Sequence, residues 1–170
     1  MTALIEEFSL STSLPWQVIT VRLLLAALLG GVLGFEREIA DRPAGLRTHM
    51  MISLAAAVFA VIALEISAMQ VFSDEQIRTD PLRLVEAITA GVAFLAAGSI
   101  LMQHGKVQGL TTGAGMWLAG ASGLSAGLGL WTVALLSCLF GALVLALVRR
   151  LETQMTLKPQ RRYDETDSSD

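Results

Sequence analysis

Cysteine and histidine are the scarcest reactive residues of this 170-residue chain, which has one cysteine and two histidines. A single cysteine, Cys138, excludes a disulfide within the chain. Together, the cysteine and the histidines are fewer than the four ligands of a structural zinc site. No stretch resembles a nucleophile elbow, a phosphate-binding loop or a metalloprotease helix. We therefore expect neither an enzyme nor a bound cofactor.

Charge is scarce as well, since 16% of the residues are charged and 54% are hydrophobic. Soluble domains have about 25% charged and about 45–50% apolar residues. The net charge of -3 gives no electrostatic reason to expect a nucleic-acid partner. Near the N-terminus stand Glu6 and Glu7 rather than a basic stretch, so we expect the first helix to remain in the mature protein. The composition predicts a membrane protein whose main partner is the lipid bilayer.

Apolar stretches recur along the chain, and each approaches the length of about 20 residues that a helix needs to cross a bilayer. They predict an all-α integral membrane bundle of five transmembrane helices. The expected domains are an interfacial segment at 1–17, a membrane domain at 18–148 and a basic-then-acidic tail at 149–170. The fourth span, about 108–125, is rich in glycine, which permits close helix contacts. We expect it to be central, and a break within it is possible.

The orientation follows from the basic residues, which concentrate in cytoplasmic loops of membrane proteins. One side of the predicted bundle holds two of them, Arg78 and Arg83. The other side holds nine: Arg37, Arg42, Arg47, Lys106, Arg149, Arg150, Lys158, Arg161 and Arg162. The imbalance places the N-terminus outside and the C-terminus in the cytoplasm.

Three charged residues fall inside the apolar stretches, namely Arg22, Glu65 and Glu86. In the predicted topology they reach a similar depth near the outer side. A lone charge deep in a bilayer costs about 2.5–3.5 kcal/mol on insertion scales. We expect Arg22 to pair with Glu86, Glu65 or both. The alternative is that each side chain reaches the headgroups separately.

A polar ring is predicted at the inner side, around the charged turn between the first two spans. Pro43 stops the first helix there, and Thr48 is expected to cap the next one. The ring could bind an anion or a partner's carboxylate through its arginines, or relay a proton through His49. Alternatively, it is a solvated network that holds helix ends together. Its candidate residues are Glu36, Arg37, Arg47, Thr48, His49, Thr111 and Thr112, with Gln103 and His104 at the same level.

Two ordered blocks of sequence resemble the MgtC/SapB family of membrane proteins. The first is Phe35-Glu36-Arg37-Glu38 followed by Pro43-Ala44-Gly45-Leu46-Arg47-Thr48-His49. The second comprises residues 80–84, 91–98 and 107–114. The resemblance implies a five-span membrane domain and a role in adaptation to low magnesium. For virulence-linked members it implies survival inside macrophages and restraint of the F-type ATP synthase.

The chain departs from that family pattern at several positions. It has Thr111 where the pathogen-type proteins have Asn, and Leu118 where they have Cys. Glu86 and Ala96 stand where the family pattern has Gln and Gly. We also expect it to lack their cytoplasmic domain, because only about 20 residues follow the fifth span. The macrophage and ATP-synthase roles therefore transfer poorly.

These observations predict a non-enzymatic protein that acts in magnesium or membrane-potential homeostasis by contact with another membrane complex. The glycine stripes also suggest a homo-oligomer. The alternative is a transporter or channel for Mg²⁺, K⁺ or H⁺ that uses Arg22/Glu65/Glu86 and Arg47/His49 as successive stations. A purely structural scaffold is a third possibility. A transporter should contain a water-filled cavity that joins the two clusters, whereas a regulator should be a closed bundle.

Overall fold

The computed structural model describes residues 12–40, 44–69, 81–103 and 106–156. These contain five helices and two short strands. In chain order they are α1 (Trp16–Ile39), α2 (Leu46–Ala68), α3 (Pro81–Gly98), β1 (Leu101–Gln103), β2 (Lys106–Gln108), α4 (Leu110–Gly127) and α5 (Trp131–Thr156). The predicted all-α class is confirmed, and each predicted span corresponds to one helix.

Three helical segments are long and apolar enough to cross a membrane: Trp16–Ile39, Leu46–Ala68 and Trp131–Leu151. Their outer faces carry exposed apolar side chains such as Leu28 and Phe140, which suit contact with lipid. The protein is therefore a membrane protein. The crossing of the bilayer by all five helices and the orientation stay predictions.

Two local features differ from the sequence-based expectation. β1 and β2 form an antiparallel hairpin in which Leu101 lies opposite Gln108, and the sequence did not predict these strands. In addition, α5 continues to Thr156, so the predicted tail begins as helix. The rest of that tail and residues 1–11 of the predicted interfacial segment lie outside the described residues.

The glycine-rich helix α4 is the centre of the bundle, because it packs against each of the other four helices. Its central position was predicted and is confirmed. The possible break is absent, since α4 runs without interruption from Leu110 to Gly127. A Cβ atom built at Gly123 would lie 2.6 Å from the Ser53 Cα of α2. Contacts this close are possible only at glycine. The glycine content of α4 therefore allows this helix to occupy the centre of the bundle.

The contact between α1 and α2 also relies on small residues. Ala26 is fully buried, and a Cβ at Gly30 or Gly34 would lie 2.7 Å from the Ser53 Cβ or 2.9 Å from the His49 Cβ. These three small residues stand at four-residue spacing, so they lie along one face of α1. The Ser53 hydroxyl donates a hydrogen bond of 2.6 Å to the Ala26 carbonyl, which joins the two helices across the apolar core.

Candidate functional site

The turn between α1 and α2 is held by a carboxylate. The Leu46 amide donates to Glu38 Oε2 at 2.9 Å, so Glu38 caps the N-terminus of α2. The predicted cap, Thr48, is wrong, because α2 begins at Leu46 and Thr48 already lies in its first turn. Arg47 is exposed beside this turn. Glu38 therefore fixes the position at which α2 begins, and the Arg47 side chain is exposed next to this turn.

His49 is fully buried one turn into α2. Its Nδ1 donates to the Gly45 carbonyl at 2.9 Å, because a carbonyl oxygen can only accept. Nε2 has no hydrogen-bond partner among the described residues. A Cβ at Gly115 of α4 would lie 2.9 Å from Nε2, so this glycine makes room for the ring. Sequence reasoning identified His49 as a candidate but not the glycines that enclose it.

A cavity of about 400 Å³ lies where the end of α1, the start of α4 and the end of α5 meet. Four predicted candidates line it: Glu36, Arg37, Thr111 and Thr112. Arg37 Nε donates to Glu36 Oε2 at 2.6 Å, and an Nη atom of Arg37 lies at the same distance from that oxygen. Arg149 of α5 also lines the cavity, although the sequence indicated only a role in topology for it.

The predicted inner ring is therefore divided between two places. Glu36, Arg37 and the two threonines share the cavity, whereas His49 lies between α1, α2 and α4 and does not line it. Arg47 does not line it either. His104 lies outside the described residues.

Two of the three charges of the predicted outer cluster, Arg22 and Glu65, bind backbone groups instead of one another. Arg22 Nη1 donates to the Gly127 carbonyl at 2.8 Å, and Glu65 accepts from the amides of Ser13 at 2.7 Å and Leu14 at 3.0 Å. Glu86 is exposed on α3. Within the described ranges no ion pair joins Arg22 to either carboxylate, so the predicted pairing is wrong. The physical reason is that unpaired backbone groups lie within reach of both side chains: the Gly127 carbonyl at the end of α4, and the Ser13 and Leu14 amides just before α1.

Replacing Arg22 by methionine should destabilise the bundle by about 2 kcal/mol, because the Gly127 carbonyl loses a charged donor. The free energy of unfolding can be measured by titrating the protein from dodecylmaltoside into sodium dodecyl sulfate. The matched control is Arg83→Met, since Arg83 is exposed on α3. Equal losses in the two variants would contradict a specific role for the contact between Arg22 and Gly127.

Replacing Glu65 by alanine should release the segment that leads into α1. The amides of Ser13 and Leu14 lose their acceptor, so their hydrogen exchange should accelerate while exchange in the middle of α1 stays slow. Hydrogen exchange read by mass spectrometry checks this, with Glu86→Ala as the control. Unchanged exchange at both amides in Glu65→Ala would show that the carboxylate does not hold this segment.

Comparisons with known proteins give a consistent result. The family model of the MgtC family matches residues 23–154. The chain is 33% identical over 138 residues to the "Putative magnesium transporter YhiD" of Escherichia coli K12, covering 81% of this chain and 62% of that protein. It is 35% identical over 145 residues to the protein SrpB of Synechococcus elongatus, covering 81% and 78%.

The protein MgtC of Brucella abortus is 36% identical over 137 residues, which cover 81% of this chain and 54% of that protein. The chain thus spans less than two thirds of the length of the Escherichia and Brucella relatives. No solved structure matches it significantly.

Proposed function

Since the chain belongs to the MgtC family, we propose that it is a multi-pass protein of the bacterial inner membrane that serves magnesium homeostasis. The name of the Escherichia coli relative, a putative magnesium transporter, supports the link to magnesium. The distribution of basic residues supports five crossings with the N-terminus outside and the C-terminus in the cytoplasm. The protein acts without catalysing a reaction.

We further propose that it acts by contact with another membrane protein and not by conducting an ion. The observation that carries this is the closed contact of α4 with α2. A Cβ at Gly127 would lie 2.5 Å from the Ala57 carbonyl oxygen, and one at Gly123 would be closer still to that of Ser53. The backbones of α2 and α4 are therefore in direct contact, and this contact leaves no room for a hydrated ion between the two helices.

The two groups of residues that a conducted ion would bind in turn, around Arg22 and around His49, are also far apart. Arg22 lies at the end of α4 beside Gly127, and the His49 ring lies beside Gly115. Twelve residues of helix rise by about 18 Å. Four cavities lie between the described helices, and neither Arg22 nor His49 lines any of these four.

The alternative, a transporter or channel that uses Arg22/Glu65/Glu86 and Arg47/His49, is favoured by the relative's name alone. In a single chain Arg22 and Glu65 already bind backbone groups. To conduct an ion within one chain, the protein would have to separate α2 from α4. Otherwise the ion path would have to lie between two copies of the chain.

The exposed turn and the outer face of α3 supply two contact surfaces. Arg47 is exposed beside the turn that Glu38 fixes, which suits a partner's acidic side chain. On α3, Gly91 and Gly98 would each accept a Cβ without any atom within 4 Å. These glycines contribute nothing to the bundle within one chain, which supports a homo-oligomer.

The test is growth of a strain that lacks this gene in medium with limiting Mg²⁺. The wild-type gene should restore growth, and Arg47→Glu should fail to restore it although the protein reaches the membrane in equal amount. Arg150→Glu, a charge reversal at an exposed residue of α5 on the same predicted side of the membrane, is the control and should restore growth. Full rescue by Arg47→Glu would exclude the turn as the contact surface. The absence of any growth defect in the deletion strain would argue against the magnesium role.

A further inference from the structure

Helix α3 is exposed along most of its length. Among its described side chains only Val92 is buried, whereas most residues of α4 are buried. In a helix that crosses the bilayer, such a surface faces either lipid or another protein. The outer face of α5 has the composition that suits lipid, since it carries large apolar side chains such as Leu139 and Leu143. One face of α3 has a different composition, which indicates a different neighbour.

This face of α3 is a stripe of five exposed residues at alternating spacings of three and four. Its residues are Arg83, Glu86, Ala90, Ala93 and Ala97. The spacing is that of helices which pack along their length, so the five residues lie on one side of α3. The three alanines allow a neighbouring helix to approach closely. Phe94 beside the stripe is 80% exposed, and it would cover the edge of such a packed pair.

The two charges of the α3 stripe are an independent observation. Neither Arg83 nor Glu86 makes an ion pair among the described residues, although the two stand three positions apart on one helix. Glu86 lies five residues, or about 7.5 Å, beyond the start of α3 at Pro81. A carboxylate that faces acyl chains is costly, so charged residues of membrane helices face a partner. The partner of Glu86 therefore carries a positive charge at nearly the same depth.

We propose that the α3 stripe packs against the same stripe of a second copy of this chain, as a parallel pair related by a twofold axis along the membrane normal. Equivalent residues then lie at the same depth, and Arg83 and Glu86 are separated by about 4.5 Å along each helix. An arginine side chain spans that distance, so each Arg83 pairs with Glu86 of the partner subunit. The proposal names the interface of the proposed homo-oligomer, and it rests on the proposed crossing of the bilayer by α3.

The experiment measures association of the full chain in liposomes. Copies that carry a donor or an acceptor fluorescent protein at the C-terminus are mixed, and energy transfer is followed as the ratio of protein to lipid is lowered. Liposomes are used because excess detergent separates weakly associated helices. For the same reason, the unfolding of Arg83→Met in dilute detergent reports on the single chain.

Two kinds of variant test the interface. Arg83→Glu and Glu86→Arg each place like charges opposite one another, whereas the double variant Arg83→Glu/Glu86→Arg restores two opposite pairs at unchanged net charge. Ala93→Leu tests the close approach of the two helices. Its matched control is Ala146→Leu, because Ala146 is exposed on α5.

We expect each single charge reversal to weaken association by about tenfold, and the double variant to associate within about threefold of the wild type. A general effect on folding or insertion would not be reversed by the second charge reversal. Ala93→Leu should also weaken association by about tenfold, and Ala146→Leu should leave it unchanged.

Cysteine cross-linking keeps the test decisive if the charge variants fail to insert. Ala93→Cys should give a disulfide-linked dimer on mild oxidation, whereas Ala146→Cys and the wild type, whose Cys138 is buried, should not. A wild-type chain that stays monomeric at every ratio of protein to lipid would overturn the proposal together with the homo-oligomer. Association that no stripe variant changes would overturn the α3 interface alone and leave the homo-oligomer standing.

Discussion

Gly123→Ala is expected to destabilise the protein by about 3 kcal/mol or more, because the new methyl group overlaps the backbone of α2. A Cβ at this position would lie 2.6 Å from both the Cα and the carbonyl carbon of Ser53. Backbone atoms cannot rotate away as a side chain can. α2 must therefore move away from α4, which also disturbs the hydrogen bond between Ser53 and Ala26.

The free energy of unfolding in mixed detergent titrations measures this effect. The matched control is Gly113→Ala in α4 itself, where the nearest atom, the Ala96 Cβ, would lie 3.4 Å from the added Cβ, an ordinary contact distance. Alanine is the better helix former by about 1 kcal/mol, so Gly113→Ala should leave stability unchanged or raise it. Equal losses at both positions would show that the α2–α4 contact is looser than described.

His49→Ala is expected to cost about 2–4 kcal/mol, because it empties a fully buried site and leaves the Gly45 carbonyl without its Nδ1 donor. Gly115→Ala alone should also destabilise, since its Cβ would lie 2.9 Å from Nε2. Combined with His49→Ala, the same methyl group enters the space that the ring has left. The double variant should therefore be more stable than His49→Ala alone.

A double-mutant cycle on unfolding free energies tests this compensation. We expect a coupling energy of about 1–2 kcal/mol in the stabilising direction, as for residues in direct contact. Additive losses would mean that the His49 ring does not face Gly115. Gly113→Ala in the His49→Ala background is the control, because a Cβ at Gly113 would approach Ala96 and not the ring.

The sequence predicted the helices well because long apolar stretches and their charged breaks are local signals. The central position of α4 was also predictable, since glycine at many positions of one helix permits close contact with several neighbours. The contacts of Arg22 and Glu65 were not predictable in this way. Each depends on which backbone group lies opposite the side chain, and the sequence carries no sign that Arg22 meets Gly127, which lies 105 positions further along the chain.

The candidate site was partly predictable, because its residues stand next to the ends of predicted helices. Glu36, Arg37, Thr111 and Thr112 flank the ends of predicted helices on one side of the membrane, and they do share a cavity. The separation of His49 from that cavity could not be predicted, because it depends on the depth to which α2 packs against Gly34 and Gly115.

The capping of α2 was also not predictable from the sequence, because it depends on a contact between two helices. Thr48 is a residue type that often caps helices, whereas Glu38 reaches the Leu46 amide only because the turn brings the two helices together. Arg149 follows the fifth apolar stretch on the same predicted side as Arg37. This shared side of the membrane was the available sequence signal that Arg149 lines the cavity together with Arg37.

Ion flux into liposomes tests the central claim, that a closed bundle acts by contact, most directly. The liposomes hold the purified, folded protein, and Mg²⁺, K⁺ and H⁺ are measured separately against empty liposomes and against protein carrying Glu86→Gln or Arg47→Ala. The closed contact of α4 with α2 predicts no flux above empty liposomes for any of the three ions. Flux through the wild-type protein that disappears in either variant would contradict the account and establish conduction.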